Sequence, residues 1–496
     1  MSNPSVLWAS SLKTLTGFLA FFIATIGASA EVTLSNYTFR FVNHTTYDPS
    51  QIYLFANDVA SGPDFSIKYN NGTESLVLQT SVTLQDILYN GNFDLTVQYS
   101  KSLALYVGLN AGAINPTIIA DGGLPSYTGG PLVPWSQKQY GIVEASVTGV
   151  NDNADVSAIN SVGVPMHMTN ATGNQSVGFN DPSKLATLRN NLQAQMPELA
   201  WPDTTDPIRY VGPNQAPVGT LTIPGSTSGL ELSPFTTYFD HVHTHNVQTK
   251  IESNISVLKN AAENWQFNYD FTMTVDASGN LVLTGSVTYQ NTLATEPDDP
   301  GYAPVTITGL TATVTADDPD NDKYAASNFV YASQASLGND DISIGGDWNL
   351  LATGTGMDFD TVISPNVIDR VLGDVSFGFA YGFIASDAMG DEPSGNWYAE
   401  GQTLVFSDLQ PDNEFYSLYS KLIFDASSHV YSHPYSDRMK DALFENSIAL
   451  SGNDIMVIHI YDFATIPEPS TVIFTAVLGA GLVGLVIRRR LNKKAA

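Results

Sequence analysis

Apolar and polar residues alternate in steps of two at both ends of the chain's long middle region. Tyr37, Phe39 and Phe41 are separated by Thr38 and Arg40, and Ile455, Val457, His459, Tyr461 and Phe463 repeat the pattern near the other end. A period of two is that of a half-buried strand. Phe271–Val275 and Leu281–Tyr289 flank Asp276-Ala277-Ser278-Gly279-Asn280, which predicts a hairpin. Gly and Pro punctuate such runs, as in an all-β framework with many turns. Two segments break the rhythm. Asp181-Pro182 offers an N-cap and an N1 proline, and Leu185, Leu188, Leu192 and Met196 keep helical spacing up to Pro197. Ser364-Pro365 opens a second helix with Val367, Ile368, Val371 and Leu372 on one face. Strands at both ends with helices between them predict a β domain closed by both termini, with a mixed α/β lobe inserted.

The two ends of the chain read differently. Lys13 precedes the apolar run Leu15–Ile26, and Ala28-Ser29-Ala30 supplies small residues, so 1–30 is expected to be a signal peptide. At the other end Pro467-Glu468-Pro469-Ser470 leads into the uncharged run Thr471–Ile487, then Arg488-Arg489-Arg490, Lys493 and Lys494. As a helix Ser470–Ile487 would reach about 27 Å, enough to cross a bilayer core, with the basic cluster left on the cytoplasmic side. This arrangement resembles the bacterial PEP-CTERM tail, a sorting signal cut near the Pro-Glu-Pro by an exosortase. The resemblance implies an exported protein of the envelope or extracellular space, held at the inner membrane transiently or, as a plain single-pass anchor, permanently.

Charge narrows the partners. The chain carries 20 Lys+Arg against 49 Asp+Glu, and six of the bases lie in the two end segments, so the exported body is more acidic than the net −29. Nucleic acid and other polyanions are disfavoured, while neutral sugars remain compatible. Cysteine is absent, which removes disulfides, thiol catalysis and Cys-ligated metals. No Gly-rich phosphate loop, serine-nucleophile elbow or CxxC pair occurs, and no cofactor is expected.

The strongest chemical constellation runs from Trp135 to Met168. Gln139-Tyr140-Gly141-Ile142-Val143-Glu144-Ala145-Ser146-Val147 is followed by a polar Asn/Asp loop and by Val156-Ser157-Ala158-Ile159-Asn160-Ser161-Val162-Gly163-Val164-Pro165-Met166. This reads as strand, turn, strand, with Glu144 and Asn160 able to face one another across a cleft. Here the chain resembles glycoside hydrolase family 64, β-1,3-glucanases with a thaumatin-like barrel. Phe41-Val42-Asn43-His44-Thr45, Ala104-Leu105-Tyr106-Val107, Tyr238-Phe239-Asp240 and Tyr431-Ser432-His433-Pro434-Tyr435-Ser436-Asp437 extend the likeness from about Asn36 to Phe463. The resemblance implies a mainly β fold with an α/β insertion: a thaumatin-like barrel or sandwich in 31–182 and 425–466, an α/β lobe in 183–424, and a cleft between them. It places Glu144 as general acid of an inverting pair, with Ser146, Thr148 and Asp437 near the sugar.

Two positions depart from the family: Asn153 stands roughly where it has an aromatic in the intervening loop, and the second bears on the chemistry. The family's base carboxylate is replaced by Asn160, and a carboxamide takes no proton near neutral pH. Asp152 or Asp155 could supply the missing carboxylate. Two function classes follow: an endo-β-1,3-glucanase, and a non-catalytic envelope or matrix protein that binds polysaccharide or serves as a structural module.

Two further clusters carry metal-ligating side chains. His241, His243 and His245 would share one face of a strand, which suits zinc, but on a helix only His241 and His245 do. The family resemblance favours a helix. Asp317-Asp318-Pro319-Asp320-Asn321-Asp322 is rich in hard oxygen donors but lacks the Gly and terminal Glu of an EF-hand loop. No metal site is expected.

Overall fold

The structure is a computed structural model that describes residues 36–58, 64–78, 80–111, 139–149, 152–159, 161–201, 209–212, 235–260, 263–299, 301–316, 324–331, 342–346, 363–397, 406, 415–428, 430–433, 447–451 and 454–463. Residues 1–30, expected to be a signal peptide, the C-terminal tail, Asn160, Asp437 and the acidic stretch 317–322 lie outside these residues.

In chain order the strands that organise the fold begin with β1 (Tyr37–Asn43), β2 (Ile52–Asn57), β3 (Asn92–Leu109), β4 (Gln139–Val147), β5 (Asn153–Ser157) and β6 (Met166–Asn170). β7 (Thr249–Asn260), β8 (Glu263–Val275), β9 (Leu281–Asn291), β10 (Val305–Ala316) and β11 (Ile342–Gly346) follow, and β12 (Ile455–Ile460) comes last. Four helices matter: α1 (Pro182–Gln195), α2 (Phe235–Thr244), α3 (Ile363–Ala380) and α4 (Leu418–Ala426).

The architecture is mostly β. β1 pairs in parallel with β12, Phe39 beside Met456 and Phe41 beside Ile458, so the alternating segments at the two ends of the body are neighbours. β6 flanks β12 on the other side. β3 is the hinge of the sheet: its first half pairs with β1, and its second half pairs with β2 and β4. The change comes at a bulge between Ser100 and Leu103. There the buried carboxylate of Asp58 accepts bonds from both Ser100 Oγ and Ser102 Oγ, the latter at 3.1 Å. A bulge bends its strand, and this one lets a single strand serve two halves of a barrel-like sheet of 13 strands.

Beyond the bulge β3 is covered on both faces. Leu103, Leu105, Val107 and Leu109 enter the first core with Val143, Ala145, Val147, Ala154 and Val156. Ala104 and Tyr106 instead meet Phe55, Tyr140 and Ile142 in a small separate cluster on the opposite face. α1 closes the first core with Leu185, Leu188 and Leu192. It starts where the sequence predicts, with the Asp181 carboxylate accepting from Ser183 N at 2.9 Å and Pro182 in its first turn. α4 packs on the same core through Tyr419, Leu422 and Ile423. The helices near both limits of the 183–424 segment therefore belong to the β core, and the second core is built from residues between them.

That second core lies under an antiparallel meander, β7 to β11. The hairpin between β8 and β9 closes through Asp276 N to Asn280 O at 2.9 Å, with Gly279 at φ +82° and the Asp276 carboxylate accepting from Ser278 N and Asn280 N. Phe267, Tyr269, Phe271 and Met273 point inward against α2 (Tyr238, Phe239) and α3 (Val371, Phe377). Asn268, Asp270 and Thr272 on the same strand are exposed. The two cores meet at His433, which is fully buried; its Nε2 lies 2.8 Å from Val330 O and 3.3 Å from Ser376 Oγ. Among the described residues no helix is long and apolar enough to cross a membrane. The Ser470–Ile487 segment lies outside them.

Candidate functional site

β4 and β5 are joined by a turn that sets everything at the site. The Asp152 carboxylate accepts from Thr148 N at 2.7 Å and Gly149 N at 2.9 Å, and takes a third bond from Tyr37 OH at 3.0 Å. Asp152 is thus spent on the turn and is no candidate base. Thr148 serves the same turn through its backbone. With the turn so fixed, the register follows: Ser146 lies opposite Asn153, Glu144 opposite Asp155, and Ile142 opposite Ser157. Because Val143, Ala145, Val147, Ala154 and Val156 fill the first core, period-two alternation turns Glu144, Ser146, Asp155 and Ser157 to the other face.

That face is the small second cluster of the sheet. Glu144 pairs with Ala104 on β3, and Ala104 pairs with Asn57 on β2, so a row of Asn57, Ala104, Glu144 and Asp155 crosses four strands. One step along the strands comes a buried row of two aromatic residues and an aliphatic one, Phe55, Tyr106 and Ile142, with Tyr140 beside it; Tyr106 and Tyr140 are 5.7 Å apart between ring centroids. Arg209, fully buried, sits 5.0 Å from the Tyr140 ring. A further edge is added by residues 430–433. Tyr431 N bonds Val156 O and Ala158 N bonds Tyr431 O, which makes a parallel bridge between Tyr431 and Ser157 and brings Tyr431 to the Glu144 face.

Glu144 is half-buried, and loss of water raises its pKa from 4.5 to about 7. A carboxyl group held near neutral pH in its protonated form is what a general acid needs. Asp155 is buried, 6% exposed. Of the residues named from sequence, then, the structure brings Glu144 and Ser146 together on one face, assigns Asp152 and Thr148 to the turn, and places Asp155 beside Glu144. The buried row and Tyr431 were not singled out as one face from sequence. The signal available for Asp155 was the turn: a tight connection closed by an Asp that grips Thr148 and Gly149 forces position 155 opposite 144.

The histidines lie on α2 and just past it. His241 and His245 pack ring to ring at 4.2 Å, whereas the His243 ring contacts Val275 O at 3.0 Å. Among the described residues no group of three or more His, Cys, Asp or Glu could hold a metal ion.

Residues 465–490 match the PEP-CTERM protein-sorting motif, which marks the chain for export to the envelope or beyond. No curated protein matches the chain. Solved structures with a similar course of chain are family 64 β-1,3-glucanases. A laminaripentaose-producing β-1,3-glucanase in complex with laminaritetraose is 12% identical, covering 86% of this chain and 99% of its own, with a TM-score of 0.48. The β-1,3-glucanase domain from Clostridium beijerinckii is also 12% identical, covering 86% and 98%, at 0.46. The laminaripentaose-producing enzyme from Paenibacillus barengoltzii, complexed with laminarihexaose, is 11% identical, covering 92% and 81%, at 0.39.

Proposed function

We propose that this is an exported, envelope-associated protein that binds β-1,3-glucan on the Glu144 face, with Glu144 as general acid in a hydrolytic site whose base position is occupied by Asn160. The observation that carries the reading is Glu144, a half-buried carboxyl pushed up to about 7 by loss of water, on a sheet face that it shares with Asn57, Ser146 and Ser157. The sequence resemblance supplies the sugar class and the acid role.

In the full reaction Glu144 would give its proton to the glycosidic oxygen as the bond to the anomeric carbon breaks. Water would attack that carbon from the opposite face and release its own proton to a carboxylate at position 160. Asn160 can orient such a water but cannot take its proton. Hydrolysis by the natural protein is therefore slow, and the same substitution favours a binding or structural role in the envelope matrix. The tail is processed by an exosortase-type enzyme, after transient anchoring through Ser470–Ile487.

Laminarin hydrolysis and glucan pulldown test the reading together. The natural protein should bind glucan and hydrolyse it weakly or not at all. Asn160→Asp should raise hydrolysis by about 10²–10⁴-fold, the usual worth of a general base, and Glu144→Gln in that background should abolish it. Activity in the natural protein that survives Glu144→Gln would sink the assignment. Mass spectrometry of envelope material from a host with an exosortase should show a form lacking 471–496; full-length tail peptides alone would indicate a permanent anchor.

A further inference from the structure

We propose that Glu144 and Asp155 share a single negative charge, so that Asp155 is a positioning residue whose ionisation raises the proton affinity of Glu144. The register makes them direct cross-strand neighbours on one face of β4 and β5. Such pairs stand about 4.5–5.5 Å apart between Cβ atoms, and like charges placed directly opposite repel. Two carboxylates at this spacing in a site largely withdrawn from water do not both ionise at once. Aspartate is intrinsically the stronger acid, by about half a unit, whereas Asp155 is the more deeply buried of the two, so the single proton belongs to the pair. Loss of water at Glu144 strengthens its hold on that proton.

Asp155 is placed to act through Glu144, because the register sets the two side chains beside one another on the same face. Its catalytic meaning rests on the general-acid reading above; the shared charge does not.

Other charged or titratable groups around the pair are few among the described residues. Tyr106 and Tyr140 stand on the same face, and Tyr431 reaches it from the neighbouring edge. Asp58 is tied to Ser100 and Ser102 at the β3 bulge, and Arg209 sits over the Tyr140 ring. Asp155 is the charge in direct register with Glu144.

The test reads titration rather than turnover. In the full chain labelled with 13C at glutamate carboxyls, the Glu144 signal is identified by its loss in Glu144→Gln and followed with pH. Asp155→Asn should lower its midpoint by about one unit or more. The reciprocal measurement guards against a poorly folded variant: with aspartate labelling, Asp155 should titrate at lower pH in Glu144→Gln than in the natural protein. Unchanged midpoints in both experiments would overturn the proposal and leave burial as the only force on Glu144. Coupled midpoints in a protein that neither binds nor cuts glucan would keep the shared charge and remove the glucanase reading. Glucan hydrolysis by Asn160→Asp without coupling would do the reverse.

Discussion

Glu144 and Asp374 are both carboxyl groups taken into the protein, one in each core region, and their surroundings differ in kind. Asp374, on α3, has no exposed side chain, and it is fully met: Tyr269 OH donates at 2.5 Å, Ser394 Oγ at 3.1 Å, and Arg370 Nε stands 3.6 Å away, one helical turn earlier. The group joins the meander, α3 and the Ser394–Trp397 turn. Glu144 faces another acid across the strand pair instead of a base. The lesson is that burial alone does not define a site. A buried charge with donors and a cation is a fastener, while Glu144, half-buried, is pushed toward its protonated form by loss of water.

The largest effect that sharpens this contrast is on the fastener. Asp374→Ala should destabilise the protein by about 3–5 kcal/mol, the cost of breaking a buried charged pair, read by urea unfolding. A loss below about 1 kcal/mol would show that the second core does not depend on this network.

The opposite sign is expected for Glu144. Its folded pKa is raised above the unfolded value, so its favourable contribution is full below about pH 4.5 and is lost as pH rises through about 7. Above pH 7 the folded state must ionise it or keep the proton against the solvent. Glu144→Gln should then be more stable than the natural protein at pH 8, by on the order of 3 kcal/mol, and equal to it near pH 4. Equal stability at both values would mean that the group pays no penalty in the folded state. The comparison is best made as a difference between variants, because His433 has the opposite slope. Burial pushes its pKa down to about 4, so its contribution is present above about 6.5 and lost in acid through 4.

The smallest effect is local. Asp181→Ala removes the cap of α1 and should cost about 1 kcal/mol, measured in the same unfolding experiment; it should leave glucan binding unchanged, since α1 packs behind the site on the first core.

Much of the fold was legible. The alternation of Tyr37, Phe39 and Phe41 and of the segment from Ile455 gave strands, and Asp276–Asn280 gave a hairpin, because each signal lies within a few residues. The helix begun by Asp181-Pro182 was legible for the same reason. The site was legible in part. Glu144 stood out by resemblance, but the choice between Asp152 and Asp155 could not be made from their identity. It depended on which carboxylate the turn consumed, and Thr148 N, Gly149 N and Tyr37 OH decide that.

The sequence by itself determined the end strands of the body, the hairpin at Asp276–Asn280, the helices begun at Asp181-Pro182 and Ser364-Pro365, the acidity, the absence of disulfides and the sorting motif at 465–490, since composition, short-range periodicity and contiguous motifs are written in consecutive residues. Only the tertiary structure decided that β12 lies beside β1, that β3 bends at Ser100 to serve two halves of the sheet, and that Tyr431 arrives beside Ser157. It also decided that α1 and α4 belong to the core of the β sheet. These depend on which apolar faces find one another across hundreds of residues, and on which polar groups must be satisfied once they do.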